Sequence, residues 1–300
     1  MADGLRFGIM PAPLTAPYEA VLARSRRAVE LGFDGLWLAD ETPMAYPGEI
    51  SMDAWLLMAA LARDVPGPTL GSLVTAAIYR HPLLNAMNVS TLDHLSGGRA
   101  ILGMGAGGVP ADLDGFGAGG TPGRELVERL DEQLDSIDRL LRGETVTRES
   151  GYYPMRNAWV ERPVQAPRPA ILVAAQGPRA IRVAARRADI WNTLGGQPIE
   201  GDALDLDGAI GETRRQLELL EAACGEVGRD PATIRRSVFT FRVGIYRSID
   251  AFDEWVGRML ELGLREFVII HPGDDRAAEA ILERFATDSM PRLRAAAGVG

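Results

Sequence analysis

Eight times along the 300-residue chain, a short β-rich run gives way to a longer stretch of helical period. The runs are LRFGIM (5–10), GLWLAD (35–40), TLGSLVT (69–75), RAILGMG (99–105), AILVAA (170–175), DIWNTL (189–194), IRRSVFTFRVGIY (234–246) and REFVIIH (265–271). The helical stretches cover roughly 15–32, 52–65, 81–98, 121–141, 177–188, 207–228, 249–263 and 275–297. In the first of them Tyr18, Val21, Leu22, Ala28, Val29 and Leu31 recur near a 3.6-residue period, and Gly32 stands at the stop. Pro82 opens another that Gly97-Gly98 closes, and Thr121-Pro122 is a cap-then-proline start. Strict βα alternation implies parallel strands joined by right-handed crossovers. Eight such units predict an α/β fold closed into a single (β/α)8 TIM barrel, for which about 250 residues suffice. One domain over 1–300 is expected, since no linker, low-complexity segment or long repeat divides the chain. The irregular stretch 142–169 has room for a small hairpin, and the glycine-rich 103–123 reads as a functional loop.

Charge and composition remove several classes of function. A net charge of −9 argues against nucleic acid or a membrane surface as a partner. All 32 basic residues are arginine. Without lysine, Schiff-base aldolase, pyridoxal-phosphate and P-loop chemistries are excluded for these residues. The three histidines, His81, His94 and His271, fall at no metal-ligand spacing, so no metal site is expected. Cys224 is the one cysteine, which rules out an internal disulfide. The first ten residues, MADGLRFGIM, lack a basic-then-apolar pattern, and no apolar run reaches the roughly 18 residues of a membrane helix. A cytoplasmic location is the expectation.

In a barrel of this type the chemistry gathers at the C-terminal ends of the strands. Strand five ends in Ala174-Ala175-Gln176-Gly177, and Pro178 follows as the first residue of a helix. Free N–H groups and the positive end of the helix dipole favour an anion there, and the small side chains allow a phosphate close to the backbone. An ordinary tight βα turn is the plain alternative. Strand four ends in GMGAGG, which satisfies Gly103-x-Gly105-x-x-Gly108, the dinucleotide pattern. It follows a fourth strand rather than opening a βαβ unit, and Glu125 and Glu128, about twenty residues on, lie in a helix. A flexible loop admitting a planar ring or phosphate is the better reading. Asp40 and Glu41 are adjacent acids at the end of strand two. One is placed to accept a hydrogen bond and the other to transfer a proton, or both are a solvent-facing pair. Trp191 either walls a ring pocket or packs within the barrel. His81 reads as a cap, His94 as structural, and His271 stands at a strand end.

RFGI, GFDGLWLAD (32–40), TLGSLVTAAIYRHPLLNAMNVSTLDHLSGGRAILGMGAG (69–107), PRPAILVAAQGPRAIRVAARRADIWN (167–192) and the tail from EFVIIHPGDD (266–275) resemble the successive signatures of the luciferase-like flavin and deazaflavin oxidoreductases. The resemblance covers nearly the whole chain. It implies a non-prolyl cis peptide at Ser72-Leu73 against a cofactor ring, with Asp40 and Thr75 at positions that hydrogen-bond the cofactor. It also places Gly105, Ala106 and Gly107, together with Ala175, Gln176 and Gly177, on the phosphate side. Two positions depart from the family pattern. Glu41 stands where many members have histidine, and Gly108 stands where the sugar-phosphate dehydrogenases have glutamate. Oxidation of glucose 6-phosphate is therefore not expected.

The resemblance leaves two cofactors, and the compact length favours the deazaflavin F420 over FMN. The expected reaction is hydride transfer between F420 and a small organic substrate over the ring, with Glu41 as proton donor or acceptor. The alternative is an FMN-dependent monooxygenase using reduced flavin and O2. A third reading is a barrel that binds the cofactor without turning it over. The resemblance also implies a homodimer. The substrate-determining loops are 42–51, 108–122, 142–169 and 195–206.

Overall fold

The computed structural model describes residues 4–11, 16–45, 50–107, 109–199 and 201–298. Residue 15 of the first helical stretch, parts of the loops 42–51 and 195–206, and Gly108 of the glycine-rich loop thus lie outside the described residues. Among the described residues there are eleven strands: β1 (Arg6–Met10), β2 (Gly35–Leu38), β3 (Thr69–Ser72), β4 (Thr75–Ala76), β5 (Ala100–Gly105), β6 (Val146–Arg148), β7 (Met155–Ala158), β8 (Ala170–Ala174), β9 (Ile190–Thr193), β10 (Arg235–Phe239) and β11 (Glu266–Ile270). The α-helices are α1 (Tyr18–Glu30), α2 (Ala54–Asp64), α3 (Pro82–Ser96), α4 (Pro110–Gly115), α5 (Gly123–Leu141), α6 (Pro178–Arg187), α7 (Leu206–Glu226), α8 (Ile249–Glu261), α9 (Arg276–Arg284) and α10 (Met290–Ala297).

The main sheet runs β3-β2-β1-β11-β10-β9-β8-β5-β4, and a β3–β5 pairing closes it. Every pairing in it is parallel. β3 and β4 are two lengths of one stave, so the barrel has the eight staves that the alternation predicts. β6 and β7 form an antiparallel hairpin within the stretch 142–169.

The period of two along each strand separates two apolar layers. Met10, Trp37, Leu73, Ile101, Leu172, Ile190, Phe239 and Val268 meet inside the barrel. Phe7, Ile9, Leu36, Leu38, Leu102, Val173, Trp191 and Phe267 face the other way, into the shell of helices. Trp37 occupies much of the interior because two staves present glycine to it. A Cβ on Gly8 would lie 2.4 Å from the indole Nε1, and one on Gly71 would lie 2.6 Å from its Cζ3.

Three elements differ from the sequence reading. β10 ends at Phe239 rather than Tyr246, because Arg242 takes φ 55° and turns the chain out of strand geometry. α4 was not foreseen, since six residues are too few to display a helical period. The last helical stretch contains a π turn at Phe285–Ser289. Pro291, which has no N–H to give to the carbonyl four residues back, lies just beyond that turn.

Candidate active site

The C-terminal mouth of the barrel is built around Asp40. This residue follows β2 and is 4% exposed. The Thr75 hydroxyl donates to its Oδ2 at 2.7 Å and the Trp55 Nε1–H does so at 3.3 Å. Arg80 grips both carboxylate oxygens, with one nitrogen at 3.1 Å from Oδ1, and reaches Asp53 at 2.8 Å as well. Asp53 also caps α2 by accepting from the Leu56 N–H at 3.0 Å. Asp40 is therefore held by the barrel–helix seam, and Thr75 is its brace. No sequence signal marks Arg80 or Trp55 as partners of Asp40.

Glu41, the next residue, is half-buried. Its charge reaches the Tyr79 phenol. Tyr79 donates to Asp112 Oδ2 at 2.7 Å. Burial first, then that hydrogen bond, pushes the phenol far above its ordinary pKa, so it remains a donor. His271 has its Nδ1 accepting from the Gly273 N–H at 3.1 Å, which puts the proton of the neutral ring on Nε2. Burial lowers its pKa to about 4. His81 Nδ1 caps α3, accepting from Leu83 at 3.2 Å, and His94 Nε2 meets the Arg162 carbonyl at 2.8 Å. Among the described residues no group of three His, Cys, Asp or Glu could hold a metal.

The stave break carries a cis peptide, at Leu73-Val74 rather than Ser72-Leu73. Ser72 still pairs with Leu38, and the Leu73 N–H still donates to the Leu38 carbonyl at 2.7 Å, so the chain leaves the ladder one residue later. The Ser72 hydroxyl is spent within the sheet, donating to the Gly103 carbonyl at 2.8 Å. Leu73 belongs to the interior cluster. The glycines of β5 exist for this break. A Cβ on Gly103 would lie 1.9 Å from the Ser72 carbonyl oxygen, and one on Gly105 would lie 2.9 Å from Val74 Cγ2.

Beside the mouth lies a cavity of about 570 Å³ lined by Ala106, Gly107, Gly177, Arg179, Arg182 and the start of α5. The N-termini of α5 and α6 both open on it. Neither helix has a side-chain cap, whereas Asp53, Asp205, Ser248 and Asp275 cap α2, α7, α8 and α9. First-turn N–H groups and two dipole ends thus face one space, which fits an anionic group on a cofactor. Of the residues expected on the phosphate side, Ala106, Gly107 and Gly177 line this cavity. Gly105, Ala174, Ala175 and Gln176 do not line it. Trp191 is fully buried in the outer layer and donates from Nε1 to the Ala175 carbonyl at 2.8 Å, so its ring packs against the helices rather than the barrel interior. Strand alternation turns Ile190 inward and Trp191 outward, a parity that no sequence signal disclosed.

The profile of the luciferase-like monooxygenases matches residues 5–298. A phthiodiolone/phenolphthiodiolone dimycocerosates ketoreductase of Mycobacterium tuberculosis (strain ATCC 25618 / H37Rv) is 32% identical over 259 residues, 77% of this chain. The chain spans 63% of that relative's length. An F420-dependent glucose-6-phosphate dehydrogenase of Microbacterium testaceum is 27% identical, covering 98% of this chain and 99% of its own. Among solved structures, the coenzyme F420-dependent tetrahydromethanopterin reductase of Methanopyrus kandleri superposes with a TM-score of 0.77 at 19% identity, over 96% of this chain and 99% of that one.

Proposed function

The chain belongs to the luciferase-like monooxygenase family, and on that premise we propose that it is an oxidoreductase moving a hydride between coenzyme F420 and a small organic substrate. The reading rests above all on the cavity where the uncapped N-termini of α5 and α6 meet beside a glycine-lined barrel mouth. The F420-dependent dehydrogenase that aligns with nearly the whole chain supports the same cofactor.

When bound, F420 supplies a ring carbon that gives or accepts a hydride without activating oxygen. Gly107, Gly177 and the first turns of α5 and α6 would hold its anionic portion. Leu73 and Val74 offer an apolar surface to a planar ring. Glu41 takes up or releases the proton that accompanies the hydride at a substrate oxygen or nitrogen. Asp40 acts from behind, fixed by Arg80, Thr75 and Trp55. Glu41 in place of histidine and Gly108 in place of glutamate weigh against a sugar phosphate as substrate. One functional unit over 1–300, a cytoplasmic location and a homodimer belong to the same proposal.

The second reading is an FMN-dependent monooxygenase, which the family's description favours. Titration of the purified protein with F420 and with FMN separates the two. Micromolar or tighter F420 binding with weak FMN binding is expected. The reverse preference replaces the first reading with the second, and binding of neither defeats both.

A further inference from the structure

Asp112 lies on α4, the short helix that the sequence pattern did not announce, and its side chain is completely buried. A buried carboxylate requires donors. Two groups supply them, and both belong to the mouth. Thr42 gives its backbone N–H to Oδ1 at 3.3 Å and its hydroxyl to the same oxygen. The Tyr79 hydroxyl gives its proton to Oδ2 at 2.7 Å. Thr42 directly follows Glu41 in the chain. Two apolar contacts reinforce the same joint. Tyr79 and Phe116 stack with ring centroids 4.7 Å apart, and the Met44 side chain lies so close to Gly115 that a Cβ there would be 2.5 Å from its Cε.

We propose that Asp112 is a positioning residue: by tying α4 to Thr42 and Tyr79 it sets where Glu41 stands at the barrel mouth. This rests on the role given to Glu41 above. The seat of α4 and the placing of Glu41 are thereby one event, because the carboxylate that docks the helix also holds the backbone next to the acid. Losing these hydrogen bonds to a buried charged group together shifts a local opening equilibrium by about tenfold or more.

The test is hydrogen–deuterium exchange on the purified 300-residue chain, comparing wild type with Asp112→Ala, Thr42→Val and Thr42→Ser. Asp112→Ala is expected to speed exchange about tenfold in both 109–117 and 40–45, with α1 and α8 unchanged. Thr42→Val loses the hydroxyl donor and speeds both segments by about threefold. Thr42→Ser keeps both donors and restores wild-type exchange, which a purely steric role for Thr42 would not produce. Faster exchange in 109–117 alone would overturn the proposal by confining Asp112 to its own helix. So would a uniform rise across the chain, which would make it a general stabiliser. The measurement needs neither substrate nor cofactor. A failed proton role, read as unchanged turnover of Glu41→Gln, is therefore distinct from a failed tie.

Discussion

Arg80 touches two carboxylates at once, Asp40 and Asp53, and its own side chain is only 20% exposed. Removing the cation leaves Asp40 buried with two neutral donors. Breaking a buried pair from one side costs about 3–5 kcal/mol, and the partial exposure of Arg80 places this case near the lower end. Arg80→Met is therefore expected to lower stability by about 3 kcal/mol, or Tm by about 5 °C for a chain of this size. Thermal unfolding followed by circular dichroism reads it, and a Tm within a degree of wild type would show that Thr75 and Trp55 suffice. The adjacent acids were visible in the sequence. Which of them turns into the seam was not, because that depends on an arginine forty residues away.

At the scale of elements, the start of α6 has no side-chain cap. Its N-cap is Gly177, in extended geometry (φ −80°, ψ 154°), and a Cβ there would meet nothing within 4 Å. Aspartate fits that position sterically and would cap the helix itself. Gly177→Asp is expected to change stability by only a few tenths of a kcal/mol, since glycine is already a tolerable N-cap. It should nevertheless weaken cofactor binding by about tenfold or more, because a fixed carboxylate occupies the N–H groups and repels an anion. Cofactor titration beside a melting curve separates the two effects. Unaltered affinity would move the anionic group away from α6. The helix start at Pro178 was legible as a proline after small residues. Its facing the start of α5 was not, since the two helices are brought together by the barrel.

For the whole molecule, the pH dependence of stability has a contribution with a definite sign. Burial depresses the His271 pKa to about 4 in the folded chain, below the ordinary 6.5. The unfolded chain therefore binds the proton more readily between these values. The stability tied to the neutral ring is fully present above pH 6.5 and is lost as pH falls toward 4. Screening near the barrel mouth keeps the loss to about 1–2 kcal/mol. His271→Asn, whose Oδ1 can replace Nδ1 as acceptor for Gly273, should flatten the stability profile between pH 6.5 and 4. Denaturant unfolding across that range checks this, and a profile as steep as wild type would acquit His271.

What the chain determines by itself is periodic and local. Short β-rich runs alternating with stretches of helical period prescribe eight parallel staves and their helices, because each segment must bury its own apolar face. Cap and proline signals place the helix starts to within a few residues. The family signatures lie in those same segments. What tertiary structure alone decided is parity and encounter. It turned Trp191 outward and gave Gly103 and Gly105 to the break between Ser72 and Thr75. It locked Asp40 against Arg80, and it brought Asp112 from an unannounced helix onto Thr42 and Tyr79. None of these is a property of neighbours in sequence. Each follows from barrel closure, which fixes which face of a strand is inside and which distant side chains must share one buried volume.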